Sequence, residues 1–185
     1  MQDDPATESV ATTPRGLVMV YTGDGKGKTT AAMGLVLRAL GHDRRVLVVQ
    51  FMKGQPTGEI AALERFLPQV EIWRSGRDVF VNPDHPDDID LQLADETMRR
   101  VKHAVIAADY DLIILDEMNV AVDYGLIREQ DVLDLLRQKP EPVTLVLTGR
   151  GASLQIMQMA DLVSEVREVK HHWRQGIPAQ SAIEF

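Results

Sequence analysis

Eight consecutive residues, Gly23-Asp24-Gly25-Lys26-Gly27-Lys28-Thr29-Thr30, combine three glycines, two lysines and two threonines. That mixture is suited to holding an anion. Glycine lets successive backbone N–H groups turn toward one point without a Cβ clash. Such a nest, when it opens a helix, attracts phosphate oxygens. Lys28 adds a full positive charge, and the Thr29 hydroxyl is placed to ligate Mg2+. The common phosphate-loop spacing is G-x-x-x-x-G-K-[ST]. Counted back from Gly27-Lys28, its first glycine falls at position 22, where Thr22 stands. The glycine register is therefore one residue short, and Lys26 is an extra cation. A G-x-G-x-x-G dinucleotide pattern fits worse, because it needs glycine where Lys28 stands.

A second chemical element lies at Leu112-Ile113-Ile114-Leu115-Asp116-Glu117. A buried strand ending in acids reads as a Walker B pattern, with carboxylates that reach Mg2+ directly or through water. Alone, such a run is equally a capped strand end. Beside a phosphate loop it gains weight.

These groups need a scaffold, and the hydrophobic patterning supplies one. Strands are expected at residues 17–21, 46–51, 70–73, 112–115, 143–147 and 162–169. Helices are expected at 29–40, ended by Gly41, at 130–138, ahead of Pro140, and at 153–159. Leu91, Ala94, Met98, Val101 and Val105 recur at steps of three and four, one apolar face of a long helix. Strands apolar on both faces belong in parallel sheets covered by helices. Strand–helix alternation gives an α/β, doubly wound, mostly parallel sheet with helices on both faces, of the P-loop NTPase-like, RecA-like kind. The stretch 171–185 is expected to be a strand-plus-loop tail that packs back onto the body. Adjacent His171 and His172 on a strand would face opposite sides, so they are not expected to form a ligand pair. The acids of residues 84–90 read as a solvated loop and helix N-terminus.

Composition bounds the function. With 185 residues and 44% apolar content the chain is one domain, expected at 16–185 behind a flexible N-terminal arm, 1–15. The arm is acidic and polar, without the pattern of a signal peptide. No cysteine is present, which removes disulfides, thiol nucleophiles and cysteine-bound zinc or iron–sulfur sites. No apolar run approaches the roughly 18 residues of a membrane span. A net charge of −8 disfavours broad nucleic-acid binding, so an anionic ligand must be held by a local device. A cytoplasmic location fits these features.

The segment running from Thr22 to Ala32 resembles the loop of the P-loop-type ATP:corrinoid adenosyltransferases. So do Val49-Gln50-Phe51-Met52-Lys53-Gly54, Leu115-Asp116-Glu117-Met118-Asn119-Val120-Ala121, Leu147-Thr148-Gly149-Arg150-Gly151 and Glu168-Val169-Lys170-His171. The resemblance spans about residues 16–185, and the shortened loop is characteristic of the family. It implies transfer of the adenosyl group of ATP to the Co(I) of a corrinoid, with triphosphate leaving and no acid or base residue required. It implies that ATP lies with its triphosphate reversed relative to ordinary P-loop enzymes. It implies ATP contacts from Thr22, Gly23, Asp24, Gly25, Lys26, Gly27, Lys28, Thr29 and Thr30, with Lys53 and Arg150 as phosphate contacts at the carboxyl edge of the sheet. Thr29 and Glu117 would serve Mg2+, with Asp116 behind them or as an alternate ligand. Phe80, Asn119 and Asp123 are the candidates for the corrinoid pocket, with Trp73 equally suited to packing. Pro178 and Ala182 depart from the family pattern, in which lysine and glycine are usual. A homodimer and a flavoprotein reductant are also implied. The rival readings are a generic P-loop kinase or ATPase that cleaves the γ-phosphate, and a non-catalytic carrier.

Overall fold

The computed structural model describes residues 15–55 and 57–184. Six strands form one parallel sheet: β1 (Val18–Thr22), β2 (Val46–Phe51), β3 (Glu71–Ser75), β4 (Leu112–Asp116), β5 (Thr144–Thr148) and β6 (Leu162–Glu165). Their order across the sheet is β3-β2-β4-β5-β1-β6, every pairing parallel. One strand, β5, therefore separates the strand that feeds the glycine loop from the strand that carries the acids. Between the strands run α1 (Lys28–Leu40), α2 (Gly58–Phe66), α3 (Asp88–Ala107), α4 (Met118–Asp123), α5 (Glu129–Gln138) and α6 (Leu154–Met159). Among the described residues no helix is long and apolar enough to cross a membrane.

The period-2 rule of strands divides the core in two. Leu47, Val49, Ile113, Leu115, Leu145 and Leu147 point to the face covered by α3 and α5. Val46, Val48, Leu112, Ile114 and Val146 point to the opposite face, under Met33 and Val36 of α1 and Ile60 and Leu63 of α2. Neither face is wetted along the central strands, which is why they read as unbroken aliphatic runs.

Several elements differ from the sequence expectation. Helix α2 was not foreseen: it has nine residues, and only Ile60 and Leu63 are buried, too few to display a period. Helix α4 is a six-residue turn that follows directly on Glu117. Strand β3 starts and ends later than 70–73. Strand β6 stops at Glu165 rather than running to 169, because it is an edge paired only with β1 and all four of its residues are exposed. Among the described residues the tail contains no strand; it has a single 3₁₀ turn, His172–Gln175, followed by turns. The flexible arm expected at 1–15 lies outside the described residues up to position 14. Arg15 belongs to the body, ion-paired to Asp161 at 2.8 Å.

The acids before α3 are not simply solvated. Arg77 donates to both Asp87 (2.5 Å) and Asp90 (2.5 and 2.8 Å), and Asp90 is buried. This clasp ties the segment after β3, which carries Phe80, to the N-terminus of α3. That segment also packs close against the one after β2, where a Cβ on Gly54 would sit 2.3 Å from the Arg77 carbonyl carbon.

Candidate active site

Strand β1 ends in Thr22, and the chain then turns through the glycines into α1. The first half of the loop is held by backbone rather than left open. The Gly25 N–H donates to the Val166 carbonyl at 2.7 Å. A Cβ on Gly23 would lie 2.5 Å from the Val166 oxygen, and one on Gly25 would lie 2.7 Å from Arg167 backbone. These two glycines admit the chain that leaves β6. Gly27 differs: a Cβ there would meet nothing within 4 Å, but its φ is +111°, which a side chain resists. Gly27 is the N-cap of α1 and brings no side-chain cap. The helix thus presents uncapped N–H groups at its positive end.

Lys28 folds back over this loop and donates to the carbonyls of Gly23 (2.6 Å) and Gly25 (2.7 Å). Its partial burial, with Arg150 nearby, lowers its pKa below the ordinary lysine value. Lys26 points outward and meets Glu184 of the tail at 3.3 Å.

Facing the loop, Asp116 is fully buried at the end of β4. It accepts from Thr29 Oγ1 (2.8 Å), Thr148 Oγ1 (2.7 Å), Gln50 Nε2 (3.1 Å) and Lys53 Nζ (2.8 Å). Burial alone would push this carboxyl up; the Lys53 ammonium and the hydroxyl donors reverse that and hold it below the usual carboxylate range. Burial likewise works against the Lys53 charge, and Asp116 outweighs it, so the Lys53 pKa lies above normal. Lys53 also stands 3.7 Å from Glu117. Glu117 is less satisfied. Burial raises its pKa, Lys53 opposes the rise, and Asp116 adds to it. Its backbone occupies the left-handed region at φ 61°, uncommon for a glutamate and a form of strain found at functional sites. Lys28 and Arg150 are further cations whose charge reaches its carboxylate.

The loop, β2, β4 and β5 meet over one open cleft of about 530 Å3. Gly25, Lys26, Gly27, Lys28, Thr29, Thr30, Lys53, Phe80, Glu117 and Arg150 all line it. The structure does not bring every expected residue there. Thr22 is buried, its hydroxyl accepting from the Ala152 N–H at 3.3 Å, and neither Gly23 nor Asp24 lines the cleft. Asn119 is fully buried beneath the site and donates to the Gly149 carbonyl at 3.2 Å. Asp123 is exposed at the end of α4, against Gly151, and is not on the cleft wall. Phe80 is completely exposed, at 104% of its reference area, an unusual position for a phenylalanine. Trp73 is partly buried against the core, with Arg100 stacked 4.2 Å from its ring centre.

Other residues of the site were not singled out from sequence. Gln50 and Thr148 fix Asp116. Met52, Thr57, Glu59, Val81, Val120, Tyr124, Ile183 and Glu184 complete the cleft wall. Glu59 sits on the unforeseen helix α2, and the tail residues had no periodicity to place them.

A glycine loop opening α1, set one strand away from buried acids at the end of β4, defines a phosphate-loop α/β protein. Residues 14–185 match the family model of the ATP:corrinoid adenosyltransferases BtuR/CobO/CobP. Corrinoid adenosyltransferase of Escherichia coli K12 is 37% identical over 172 residues, covering 92% of this chain and 86% of the relative. Corrinoid adenosyltransferase CobA of Salmonella typhimurium is 36% identical over 92% of this chain and 86% of its own length. The Pseudomonas aeruginosa corrinoid adenosyltransferase is 37% identical over 92% and 84%. The chain belongs to the ATP:corrinoid adenosyltransferase family, whose known reaction moves an adenosyl group from ATP to a corrinoid.

Proposed function

We propose that this chain transfers the 5′-deoxyadenosyl group of ATP to the Co(I) of a corrinoid and releases triphosphate. The observation that carries this reading is one cleft with two unlike walls: the uncapped start of α1 with Lys26, Lys28 and Arg150, and the bare aromatic face of Phe80. The Co(I) electron pair forms the cobalt–carbon bond to C5′ while the C5′–oxygen bond breaks, and triphosphate leaves with that bonding pair. No proton moves, so no acid or base residue is required. The work left to the protein is orientation and charge neutralisation. In this reading the α1 amides and Lys28 hold the triphosphate, Lys28 giving up its two loop carbonyls to do so. Lys26 and Arg150 balance charge from the rim. The shortened loop supports a triphosphate reversed relative to ordinary P-loop enzymes, which leaves C5′ facing the corrinoid.

The donor set suits Mg2+, which would neutralise phosphate charge when bound. Thr29 Oγ1 and the Glu117 carboxylate are hard oxygen ligands, and the strained, underpartnered Glu117 has capacity to spare. Asp116 is already saturated by four donors, so it acts from behind by holding Thr29. Lys53, locked to Asp116, is a positioning residue rather than a free phosphate contact. Phe80 lies against the corrinoid and favours the four-coordinate Co(II) state that is easier to reduce; Asp123 stands farther out on the same side. The family resemblance supports a flavoprotein reductant, a homodimer and a cytoplasmic location.

The test is anaerobic incubation with Mg-ATP and cobalamin pre-reduced to Co(I). Loss of the Co(I) band, growth of a light-sensitive cobalt–carbon spectrum and stoichiometric triphosphate are expected. Steady ADP formation without corrinoid alkylation would replace this reading with a γ-phosphate-cleaving kinase or ATPase.

A further inference from the structure

At the edge of the cleft, where Glu184 forms part of the wall, the tail gathers three ligand-type side chains. His171 and His172 are not on a strand. They stand at the start of the 3₁₀ turn, which swings both imidazoles to one side, with ring centres 4.6 Å apart. The following turns bring Glu184 up to them. One ligand atom from each of His171, His172 and Glu184 lies within 4.8 Å of the other two.

The hydrogen bonding in this cluster is incomplete in a telling way. His172 Nε2 and Glu184 Oε1 are 3.1 Å apart and buried, yet neither is aligned for a hydrogen bond with any group. The Glu184 side chain is more than nine-tenths buried. Its other oxygen is used, accepting from the Gln180 N–H at 2.8 Å, which fixes the carboxylate's direction. His171 Nδ1 accepts from the Trp173 N–H at 3.2 Å, so a cation binding at that nitrogen must displace this hydrogen bond. Two imidazole nitrogens and one carboxylate oxygen thus converge, with the Lys26 ammonium and the Trp173 N–H as the protein protons that compete for them. Above it opens a cavity of about 490 Å3, walled also by Arg150, Glu168 and Arg174. Arg174 is paired with Glu168. Arg150 and Lys26 are the remaining facing charges, and Lys26 stands 3.3 Å from the same Glu184 oxygen, partly exposed.

We propose that His171, His172 and Glu184 form a cation site for a borderline transition ion of the Zn2+ type. Imidazole and carboxylate suit such ions, and three protein ligands leave a fourth position open toward the cavity. Ligand bonds of about 2.1 Å place tetrahedral ligand atoms about 3.4 Å apart. His172 and Glu184 already meet that spacing. The widest separation is no more than 4.8 Å, which exceeds it by at most about 1.4 Å, and the His171 side chain must rotate to close that gap. The cation and the Lys26 ammonium compete for one carboxylate oxygen. Loading the site therefore pins the tail and releases Lys26 from it.

The test uses the full chain, free of any polyhistidine tag and stripped with chelator, without nucleotide or corrinoid. Its failure therefore leaves the transfer reaction untouched. Zn2+ is titrated by calorimetry, and Co2+ by its visible ligand-field bands. One saturable equivalent is expected. His172→Ala and Glu184→Gln should each weaken it by at least about tenfold, more than loss of a supporting group costs. Lys26→Ala should tighten it several-fold, an effect a merely structural tail contact would not produce. Circular dichroism checks that each variant is folded. Absence of saturable uptake, or uptake unchanged in both ligand variants, overturns the site.

Discussion

Asp116→Asn tests the arrangement on which the whole cleft is hung. The substitution keeps the size and shape of the side chain and removes only its charge. Asp116 is fully buried and faces the Lys53 ammonium at 2.8 Å, so the variant leaves a buried cation against an amide. Breaking a buried pair from one side costs about 3–5 kcal/mol. Lys53 retains 26% side-chain exposure, and water there relieves part of the loss, which points to the lower end, about 3 kcal/mol. At about 2–4 °C per kcal/mol for a chain of this length, the melting temperature should fall by about 6–12 °C. Adding Lys53→Met should restore most of that loss. The double variant removes the orphaned charge, and the Gln50 Oε1 atom, buried without a partner, can turn to accept from the new amide. The pH dependence has a definite sign. The folded pKa of Asp116 is depressed, so its contribution is present above the unfolded value of about 3.9 and is lost as pH falls through the folded value. The folded pKa of Lys53 is raised, so its share is present below about 10.4 and lost as pH rises through the folded value. The difference between wild type and Asp116→Asn, measured by urea unfolding, should therefore be flat from about pH 5 to 9 and shrink below about pH 4. A melting change under about 2 °C, or a double variant no more stable than the single one, would refute the argument.

Lys28→Ala should abolish triphosphate formation with the circular dichroism spectrum unchanged; near-normal turnover would sink the loop assignment. Gly25→Ala should destabilise by about 1–3 kcal/mol, because its Cβ would lie 2.7 Å from Arg167 backbone, and hydrogen exchange at the residue 25 amide, which bonds Val166, should speed up. Gly27→Ala meets no neighbour and should leave that exchange rate alone, its cost being backbone strain instead. Phe80→Ala should leave stability unchanged, since the ring is fully exposed, while slowing reaction from Co(II) corrinoid far more than from pre-reduced Co(I). Equal losses in the two assays would remove Phe80 from the corrinoid side.

What could be read from sequence was whatever many residues repeat. The aliphatic runs of β2, β4 and β5, the long stripe of α3 and the glycine-to-threonine loop each carry several concordant positions, and each lies where expected. Helix α2 buries two side chains, and α4 is a single turn; neither leaves enough positions to display a period. Side-chain partnerships were less visible still. Thr22 occupies the place of a loop glycine and was expected at the nucleotide, yet its hydroxyl is spent on Ala152. Asn119 sits one turn past the acids and was expected in the pocket, yet it holds the Gly149 carbonyl from below. Both have the residue type and the neighbourhood of a ligand contact, but a one-dimensional pattern does not record which way a side chain points.

The shortened loop shows the same distance between a residue pattern and the work its residues do. By spacing alone it is a phosphate loop with its first glycine misplaced. In three dimensions the glycines divide into two jobs. Gly23 and Gly25 make room for the chain leaving β6, which donates no side chain but clamps the loop through the Val166 carbonyl. Gly27 alone shapes the opening of α1. The β6 clamp narrows the half of the loop nearer the strand, and the open amides lie at the helix end beside Lys28 and Thr29. In the proposed reading an anion therefore seats toward α1, with its far end running out past Lys26 and Arg150 to the rim where Phe80 stands. A loop built this way favours presenting the outer end of its ligand to a second substrate, and that is the demand a group transfer from C5′ makes.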